Sequence, residues 1–515
     1  MLCQNCSKRE ATTHIKRIVN GETTESHLCE ECARKLGYDD FFDDFSLSIP
    51  NIFSSFFKDS AFALASAKTD RCEKCSSTFD DIIRTGMVGC ADCYEKFYDR
   101  LLPSIQRIHG RTKHVGRVPY TEVPDEKKPE AKKKELSTEE KIAKLQEDMQ
   151  KAIDCQNFEQ AAVIRDEIKE LKGEKSKMKW YSNKGEHSDV VLSTRIRFAR
   201  NLKDYPFPAR LSTVEKEKVN EIMRDIFLAA DSGEKLTYTE MKALSSVAAV
   251  SLAEKHLISP EFASDPNGRA LLLSEDEDVS IMLCEEDHAR IQVILPGLAL
   301  EEAYEKALKF DKALEEKAAI AFDRNLGYLT QCPTNLGTGM RASVMLHLPA
   351  LAENGVIARL AATVAKLGLT LRGVYGNTSR FVGSLFQLSN QVTLGISEQA
   401  AVQNLNAIAL QIAEQETQAR QALLKDDAFI DRIWRAYGIL TSAHMIGCDE
   451  FCDLLSLVRL GAAQGIVDIP LETLSRLLIE MQPATINAKQ GESLSQRERD
   501  VFRAEAVKKA LSRKQ

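Results

Sequence analysis

The sequence lacks several features that would assign it to a membrane, a secretory route or a nucleic acid. No apolar run approaches the length of about 18 residues that a membrane-spanning helix needs. The amino-terminal MLCQNCSKRE has no apolar stretch of the kind found in signal peptides. Positive charge is not in excess, because the formal net charge is −7, so bulk attraction to nucleic acid is not expected. These absences predict a cytoplasmic protein that makes no membrane contact.

The chain is too long for a single compact core. Its 515 residues favour about three or four domains. A hydrophobic content of 43% and a charged content of 28% are ordinary for a soluble globular protein. In a reducing cytoplasm the 13 cysteines are expected to be thiols or metal ligands rather than disulfides.

Eight of the cysteines form two sets, each built from two C-x2-C pairs. The pairs are separated by 22 residues in the first set, within residues 1–40, and by 14 residues in the second, within residues 71–118. Each tight pair places two thiolates on one ion and the second pair completes a tetrahedron, so we predict two structural zinc sites that leave no open position for a substrate. The predicted ligands are Cys3, Cys6, Cys29, Cys32, Cys72, Cys75, Cys90 and Cys93.

Other interpretations of the cysteine-rich part stay open. The pairs are also compatible with a redox dithiol or with thiols that carry no metal, and His14 and His27 are near enough in sequence to replace a ligand. Small zinc modules often bind nucleic acid, and Arg107 to Arg117 is locally basic. The ordinary expectation for such a basic segment is a solvated charged face.

The middle of the chain contains linkers and a helical pair. Residues 41–70 are Phe-rich and predict a linker, with docking to a partner as the alternative, and residues 119–136 are rich in Lys, Glu and Pro, which predicts a solvated linker. Apolar residues recur at helical spacing over 137–173 in two short stretches. Two short amphipathic helices bury little surface alone, so this hairpin is expected to dock on a partner. Residues 173–184 are predicted to form a second polar joint.

From Ser188 onward the chain is predicted to form one large domain followed by a helical region. Strands are expected in pairs around polar or Gly-containing turns, and long amphipathic stretches predict helices. The predicted strands lie in 279–295, Leu369–Gly376 and Phe386–Gly395, the predicted helices in 301–322 and 397–425, and the region after Asp426 is expected to be largely helical.

Several segments of this domain carry arginines and carboxylates. CPTNLGTGMR (332–341) is a Gly-rich turn with a cysteine and a following arginine, but it has neither the Lys-Ser/Thr ending of a P-loop nor the spacing of a dinucleotide fingerprint. STRIR (193–197) places two arginines on one face of an extended strand. CEEDHAR (284–290) is an acidic run that ends in an arginine. Alone, each has an ordinary interpretation as surface charge or, for Cys332, as a small buried hydrophobe.

Chemistry on a guanidinium would need these residue types together. Free arginine has a pKa above about 12, so at neutral pH it is a protonated non-nucleophile. Carboxylates can hold it through charge-assisted hydrogen bonds and can accept its proton. A triphosphate donor in turn needs cations on its oxygens together with Mg²⁺.

Together these segments resemble the signature of the phosphagen (guanidino) kinases, which move a phosphoryl group between ATP and a guanidinium. The resemblance implies that Glu286 is the catalytic carboxylate, that Cys332 is the family's reactive cysteine and that His256 belongs to the nucleotide pocket. It implies a set of nucleotide-binding residues, which are Ser193, Thr194, Arg195, Ile196, Arg197, His256, Arg290, Arg341, Ala342, Ser343, Val344, Met345, Arg372, Gly373, Val374, Tyr375, Gly376 and Asn377.

Within this superfamily, the chain from 188 to 515 resembles the bacterial protein-arginine kinases of the McsB family. The stretches SDVVLSTRIRFARN, GYLTQCPTNLGTGMRASVMLHLPAL and LFQLSNQVTLG carry that resemblance. It implies a catalytic domain over 188–425 and a helical C-terminal domain over 426–515. In the latter, an RDxxRA motif that reads phosphoarginine allosterically is matched by Arg499, Asp500, Arg503 and Ala504. Without the resemblance, RERDVFRA would be an exposed charged helix face.

The first part of the chain resembles a different family. Residues 1 to about 173 are similar to McsA, the zinc-containing activator of that kinase, and 137–173 resembles the UVR interaction hairpin. The chain is thus similar to an activator fused to its kinase, and a tether raises the effective concentration of the activator at the kinase.

The two resemblances imply a fold class, cofactors and partners. The fold would be multidomain α+β, with small zinc modules, a UVR hairpin, a phosphagen-kinase-like antiparallel sheet flanked by helices, and a helical C-terminal region. The cofactors would be ATP, Mg²⁺ and about two Zn²⁺ per chain. The implied partners are proteins with exposed arginine, a Clp-type ATPase or protease for which phosphoarginine marks proteins, a repressor substrate, and a second copy through the C-terminal helices.

The sequence departs from the family pattern in one catalytic loop. Arg380 stands where the family has a second catalytic glutamate, no Asp or Glu lies between Arg372 and Gly395, and Cys284 replaces a family asparagine. Two like charges ~4 Å apart interact by ~4 kcal/mol at an effective dielectric near 20. That energy corresponds to a roughly thousandfold difference in reaction rate.

Three hypotheses follow from this departure. In the first, Glu286 suffices and the protein is a working protein-arginine kinase. In the second, it is a pseudokinase that binds ATP and phosphoarginine as an adaptor or as an activator of another kinase. In the third, it is a zinc-dependent module that binds nucleic acid or a repressor and retains only a vestigial kinase fold.

Overall fold

The computed structural model describes residues 70–119, 179–374 and 382–512, and the backbone of two short strands near the start. Those strands, β1 (Thr13–Val19) and β2 (Glu22–Leu28), pair antiparallel between the two halves of the first cysteine set. The first predicted zinc site, the linker over 41–69 and the UVR-like segment lie outside the described residues. So do three of the predicted nucleotide-binding residues, Tyr375, Gly376 and Asn377, and Arg380, which stands in place of the family's second catalytic glutamate.

An eight-stranded antiparallel sheet forms the centre of the catalytic part. Its strands are β3 (Val191–Arg200), β4 (Leu236–Glu240), β5 (Ala270–Ser274), β6 (Val279–Leu283), β7 (Ala289–Pro296), β10 (Met340–His347), β11 (Leu369–Gly373) and β12 (Leu385–Asn390). Their order across the sheet is β11-β12-β10-β3-β7-β6-β5-β4. A separate ribbon pairs β8 (Phe322–Asp323) with β9 (Gly327–Tyr328).

Helices surround this sheet and build the two flanking units. Those of the cysteine module are α1 (Phe79–Thr85), α2 (Ala91–Lys96) and α3 (Tyr98–His109). The catalytic part has α4 (Thr213–Leu228), α5 (Ser246–Glu254), α6 (Pro260–Ser264), α7 (Leu300–Lys317), α8 (Pro349–Glu353), α9 (Ile357–Ala365) and α10 (Glu398–Leu423). The C-terminal unit has α11 (Asp427–Ser442), α12 (Cys448–Ala463), α13 (Leu471–Glu480), α14 (Pro483–Gln490) and α15 (Gln496–Leu511).

The sheet has one apolar face and one polar face. In β3, Ile196 and Phe198 are fully buried in the main core, because residues two apart in a strand point the same way. Helices α7 and α10 pack on this apolar side. The alternate residues of β3, Arg195 and Arg197, therefore lie on the opposite, polar face.

The structure confirms the predicted fold class, a mixed α and β protein with an antiparallel sheet, flanking helices and a helical C-terminal region. The strand pair predicted in 279–295 is confirmed by the pairing of β6 with β7. The helix predicted over 301–322 is wrong at its end, because α7 stops at Lys317 and Ile320 forms a strand bridge with Leu202. The strand predicted over Phe386–Gly395 ends at Asn390, whose side chain donates hydrogen bonds to the Met340 and Val392 carbonyls.

Two segments that were expected to be a polar joint or a solvated face are packed in part. The joint predicted over 173–184 is wrong from Trp180 onward, since Trp180 and Tyr181 are 4% and 3% exposed. The basic segment from Arg107 to Arg117 is solvated at Arg107, Arg111 and Lys113, which are exposed, but not at its end. Arg117 donates to the buried carboxylates of Asp311 and Glu315, at 2.8 and 2.9 Å. A tertiary partner, which composition alone cannot reveal, accounts for this difference.

The exposed charged helix face expected for RERDVFRA without the resemblance holds at its start, where Arg497 and Glu498 are exposed, but not at its end. Arg503 and Ala504 are each 1% exposed and lie in or beside the core of the C-terminal helices. Arg503 donates to the Met481 and Ile446 carbonyls at 2.9 and 2.8 Å and pairs with Asp500 at 2.6 Å. These contacts fix α15 against two neighbouring segments. Within the described residues, none of the helices is both long enough and apolar enough to cross a membrane.

Candidate active site

The pairing register of the sheet brings the five predicted phosphate-binding arginines onto its polar face, which is called the arginine face below. Residues directly opposite each other in antiparallel strands share a face. One such pair joins Arg197 of β3 to Arg341 of β10, so the two central strands present cations side by side. The other pairs that extend this face are Arg195 with Ser343, Ala199 with Arg290, Met345 with Gln387, and Gln387 with Arg372.

These arginines form a cluster of positive charge that few carboxylates offset. Burial, together with the charges of Arg195, Arg290 and Arg341, lowers the pKa of the Arg197 guanidinium well below its ordinary value. The Nε atom of Arg197 is buried and has no hydrogen-bond partner among the described residues. A guanidinium whose buried Nε is unsatisfied, and which lies among other cations, is costly unless an anion binds there, so this face fits a polyphosphate.

A small cavity beside Arg195 fits the neighbouring part of a nucleotide. Arg195 donates to Gln387 Oε1 at 2.8 Å, and burial with the charge of Arg290 lowers its pKa to about 10. Burial and the charge of Arg195 lower the pKa of His256 to about 3, so the imidazole is neutral. The residues that line this cavity are Ser193, Arg195, His256, Ile294, Ser343, Met345 and Gln387.

Some of the predicted nucleotide-binding side chains face the other way. Because of the strand alternation, Ile196, Ala342 and Val344 lie on the apolar face and are at most 1% exposed. Thr194 Oγ1 donates to the Gly297 carbonyl at 2.7 Å and accepts from the Ala299 amide, so it is held within the protein. A nucleotide on the arginine face cannot reach these four side chains. Val374 is likewise buried among the C-terminal helices.

The two glutamates between β6 and β7 have different environments. Burial opposes ionisation of Glu285, but the Arg290 charge and hydrogen bonds from Ser259 and Arg290, both at 2.6 Å, lower its pKa to about 2. For Glu286, burial and the negative charges of Asp287 and Glu285 raise the pKa to about 8. Glu285 is therefore a fixed anion that positions Arg290. Glu286, which is partly exposed, is an acid-base group matched to neutral pH.

Buried polar residues hold this loop in place. Asp287 Oδ1 accepts from Asn201 Nδ2 at 2.6 Å and from the Gln331 amide at 2.8 Å. His288 Nδ1 accepts from the Leu202 amide at 3.0 Å, so its Nε2 carries the proton and donates to the Pro206 carbonyl. The two residues after Glu286 therefore serve as anchors. Sequence reasoning did not assign them, although their place next to the Glu pair was a usable signal.

The loop 332–341 lies against Glu286. Asn335 Nδ2 is 3.4 Å from Glu286 Oε1, and Arg341 Nε donates to Asn335 Oδ1 at 3.2 Å. Cys332 is fully buried, 3.1 Å from Thr334 Oγ1, and burial with the Glu286 charge raises the pKa of its thiol. Asn335 thus connects the carboxylate to the arginine face. Sequence reasoning did not assign this amide, and the one usable signal was its place in the Gly-rich run.

The second cysteine set forms the predicted cluster. The Sγ atoms of Cys72, Cys75, Cys90 and Cys93 all lie within 4.8 Å of one another, and three of the pairs are 3.3 to 3.7 Å apart. Four sulfurs about 2.3 Å from a tetrahedral zinc would be roughly 3.8 Å apart, so the arrangement fits zinc. The other four predicted ligands lie outside the described residues.

The cysteine module packs directly on the active-site loop. Tyr94 Oη donates to the Thr330 carbonyl at 2.8 Å, and the Val88 amide donates to the Gln331 carbonyl at 2.8 Å. His109 Nε2 donates to the Pro333 carbonyl at 2.9 Å. These three hydrogen bonds hold the backbone on both sides of Cys332. The module is therefore part of the frame of the site.

Family models match four parts of the chain. Residues 218–419 match the ATP:guanido phosphotransferase C-terminal catalytic domain, and 426–515 match the protein-arginine kinase McsB C-terminal domain. Residues 70–116 match the McsA central zinc-finger domain, and 139–174 match the UvrB/uvrC motif. Both resemblances seen in the sequence are thereby confirmed.

Curated relatives and solved structures agree with these matches. The chain is 45% identical to the protein-arginine kinase of Halothermothrix orenii over 65% of this chain and 96% of that protein. It is 44% identical to the protein-arginine kinase of Caldanaerobacter subterraneus subsp. tengcongensis over 64% of this chain and 98% of that protein. The substrate-free duplicated taurocyamine kinase from Schistosoma mansoni shares the fold, with a TM-score of 0.50 at 17% identity, over 82% of this chain and 59% of that one. The chain belongs to the protein-arginine kinase family.

Proposed function

We propose that the protein transfers the γ-phosphoryl group of ATP to arginine side chains of other proteins. The observation that carries this proposal is the polar sheet face, where five arginines lie next to one carboxylate of raised pKa, Glu286. Cations suit the donor and a carboxylate suits the acceptor. The ATP:guanido phosphotransferase match over 218–419 and the curated relatives support the same reaction class.

The residues present fit Mg-ATP. Arg195, Arg197, Arg290, Arg341 and Arg372 would hold the phosphates, and the cavity next to His256 would take the adjoining part of the nucleotide. Mg²⁺ would arrive with the triphosphate and neutralise charge on its oxygens. Glu285 would orient Arg290, because its carboxylate accepts a hydrogen bond from Arg290 and so holds that guanidinium towards the phosphates.

Glu286 is the proposed acceptor-side group. Its raised pKa means that much of it is protonated at neutral pH before a substrate arrives. An incoming guanidinium is a cation, and an opposite charge within a few ångströms favours the carboxylate form. The ionised Glu286 would then orient the guanidinium and take a proton from the attacking nitrogen as that nitrogen bonds to phosphorus.

The cysteine modules are proposed to be structural zinc sites of a fused activator. Zinc would fold the 70–119 module, which then holds the 330–333 backbone through Tyr94, Val88 and His109. Metal analysis of the full chain is expected to give about two Zn per chain, and Cys93→Ser is expected to lower that number by one. A wild-type value near zero would contradict the zinc assignment.

A pseudokinase remains the second candidate function because of Arg380. That residue lies outside the described residues, in the segment 375–381 that follows Arg372. A cation there would repel the substrate guanidinium, and the chain would then act as an ATP- and phosphoarginine-binding adaptor. The five arginines of the polar sheet face are present under both hypotheses, so nucleotide binding does not separate the two hypotheses.

A transfer assay separates the two candidates. With Mg-ATP and an arginine-rich unfolded protein, the wild type is expected to incorporate acid-labile phosphate that mass spectrometry places on arginine. Arg380→Glu is the companion variant, and a gain of tenfold or more over the wild type would show that the loop substitution impairs the site. No incorporation by the wild type, with ATP still bound, would select the adaptor.

The partners follow from the same proposal. Proteins with exposed arginine would be substrates, among them a repressor, and phosphoarginine would direct them to a Clp-type ATPase or protease. Arg499, Asp500, Arg503 and Ala504 are proposed to read phosphoarginine. Of these, Arg503 donates to two carbonyls within the C-terminal unit. A second copy could dock on α11, where Trp434 is 49% exposed and Met445, just beyond the helix end, is 51% exposed.

A further inference from the structure

The C-terminal unit contains a pair of cysteines that the proposed phosphoryl transfer does not use. Cys448 is the first residue of α12 and follows the N-cap residue Gly447, and Cys452 lies one helical turn later. Cys448 is partly exposed, whereas Cys452 is 3% exposed. Side chains one turn apart on a helix are neighbours, about 5–6 Å apart at Cβ. The two thiols therefore share one face of α12.

A single amide side chain contacts both sulfurs. Cys448 Sγ is 3.7 Å from Gln482 Oε1, and Gln482 Nε2 is 3.9 Å from Cys452 Sγ. Gln482 is itself 6% exposed and donates to the Leu478 carbonyl at 2.9 Å, so its position is fixed. The amide holds the pair of thiols on the same side of the helix.

Partial exposure and the helix N-terminus favour a thiolate at Cys448, against the Gln482 amide, whose Oε1 accepts from the Cys448 thiol. A hydrogen bond from Cys452 lowers the pKa of Cys448, and the Arg503 charge acts in the same direction, against burial and the charges of Asp449 and Glu254. The hydrogen bond to Cys448 and burial raise the pKa of Cys452. The N-terminus of α12 adds a positive dipole end at Cys448. A thiolate that is partly exposed and lies at a helix N-terminus is the reactive kind.

We propose that Cys448 is a peroxide-reactive thiol and that Cys452 is its resolving partner. The Cys448 thiolate would attack a peroxide oxygen, breaking the O–O bond to give a sulfenic acid and hydroxide. The Cys452 sulfur would then form the S–S bond, displacing the sulfenic hydroxyl, which leaves as water with the Cys452 proton. The two thiols lose two electrons and the peroxide gains them.

The disulfide would change the start of α12. A disulfide needs Cβ atoms about 3.5–4.5 Å apart, so the first turn must tighten or unwind. Two contacts lie next to that turn: the Ile446 carbonyl accepts from Arg503, and Asp453 Oδ1 accepts from the Gly383 amide at 2.9 Å. Gly383 follows the segment 375–381. Because the first turn of α12 must change shape, oxidation is expected to loosen both contacts.

Mass spectrometry of the full chain after peroxide treatment tests the proposal. In the wild type, the peptide that carries Cys448 and Cys452 is expected to lose two hydrogen atoms, and reductant is expected to restore its mass. In Cys452→Ser, a 1,3-dicarbonyl probe is expected to label Cys448 at least tenfold faster than Cys284, a buried thiol in the same molecule whose pKa burial raises to about 12. Hydrogen exchange is expected to rise at 446–453 and at 383–385 on oxidation.

Other outcomes would overturn the proposed roles of Cys448 and Cys452. Labelling of Cys448 no faster than Cys284 would show that Cys448 is not reactive. Equal labelling of Cys452 in Cys448→Ser would show that the proposed roles are wrong. If Cys448→Ser or Cys452→Ser fails to fold, the wild-type mass change and its reversal remain a complete test, because both require this one peptide.

Discussion

Replacing Glu286 by glutamine is expected to lower the rate of phosphoryl transfer by about 10³-fold while leaving Mg-ATP affinity within about threefold. Glutamine can still accept a hydrogen bond from the substrate but cannot take its proton. The described residues offer no acid that could replace it, because Glu285 is committed to Arg290 and Ser259, and Asp287 to Asn201 and Gln331. Steady-state transfer to an arginine-rich protein measures the effect.

The pH dependence gives this prediction a second readout. In the wild type, kcat/KM is expected to rise with pH through about 8, the raised pKa of Glu286, because the ionised form is the active one. The variant is expected to lose that rise. Glu301→Gln, at an exposed position of α7, is the matched control and should behave as the wild type. A variant that keeps wild-type kcat and its pH profile would remove Glu286 from the catalytic role.

The loss of transfer activity in Glu286→Gln would not come from unfolding. A carboxyl group whose folded pKa is raised binds a proton more tightly when folded, so above its unfolded pKa the folded protein loses stability as pH rises. Removal of the titrating group should therefore leave the Tm of Glu286→Gln at or above the wild-type value at pH 8. A lower Tm would indicate that Glu286 has a structural role.

Arg117→Ala is expected to destabilise the folded protein by about 3 kcal/mol or more. Arg117 comes from the cysteine module and donates to two fully buried carboxylates of α7, Asp311 and Glu315. Arg200 would still pair with Asp311, but Glu315 would retain only the Tyr328 hydroxyl. Removal of one partner of a buried ion pair leaves an uncompensated charge, which costs about 3–5 kcal/mol. Chemical denaturation, followed through the unfolding of the catalytic part, measures this loss of stability.

Three comparisons sharpen this second prediction. Arg117→Lys should recover only part of the stability, because one ammonium cannot match a guanidinium that reaches two carboxylates. Arg111→Ala is the matched control, since Arg111 donates to the neutral Gly395 carbonyl and its loss should cost at most about 1.5 kcal/mol. The effect of Arg117→Ala should grow as the pH rises, because protonation of Glu315 at lower pH, favoured by its already raised pKa, relieves the unpaired charge. Equal stability of Arg117→Ala and Arg111→Ala would contradict the account.

Much of the site was predictable from the sequence because its chemistry is local. The acidic run at 284–287, the pair Arg195 and Arg197, and the Gly-rich run ending in Arg341 each lie within a few residues. Strand alternation then predicts that Arg195 and Arg197 share a face, and the structure confirms it. The C-x2-C spacing of Cys72, Cys75, Cys90 and Cys93 predicts a cluster for the same reason.

The rest depends on contacts between distant segments. Arg117 lies in a run that looks solvated, and only α7, about 200 residues later, gives it buried partners. Arg503 is buried for the same reason. The docking of Tyr94 and His109 on the 330–333 backbone uses carbonyl acceptors, which every residue has, so side-chain patterns cannot reveal it. Nucleotide-binding predictions for Ile196, Ala342 and Val344 ignored the alternation that turns them into the core.

Calorimetric titration with Mg-ATP tests the central claim, that the arginine face binds the nucleotide's phosphates, most directly. The account predicts saturable binding to the wild type and at least tenfold weaker binding to Arg197→Ala, which removes the guanidinium whose Nε has no partner in the described structure. Arg435→Ala, at a largely exposed position of α11, should bind as the wild type does. Absence of binding at saturating Mg-ATP, or unchanged affinity in Arg197→Ala, would contradict it.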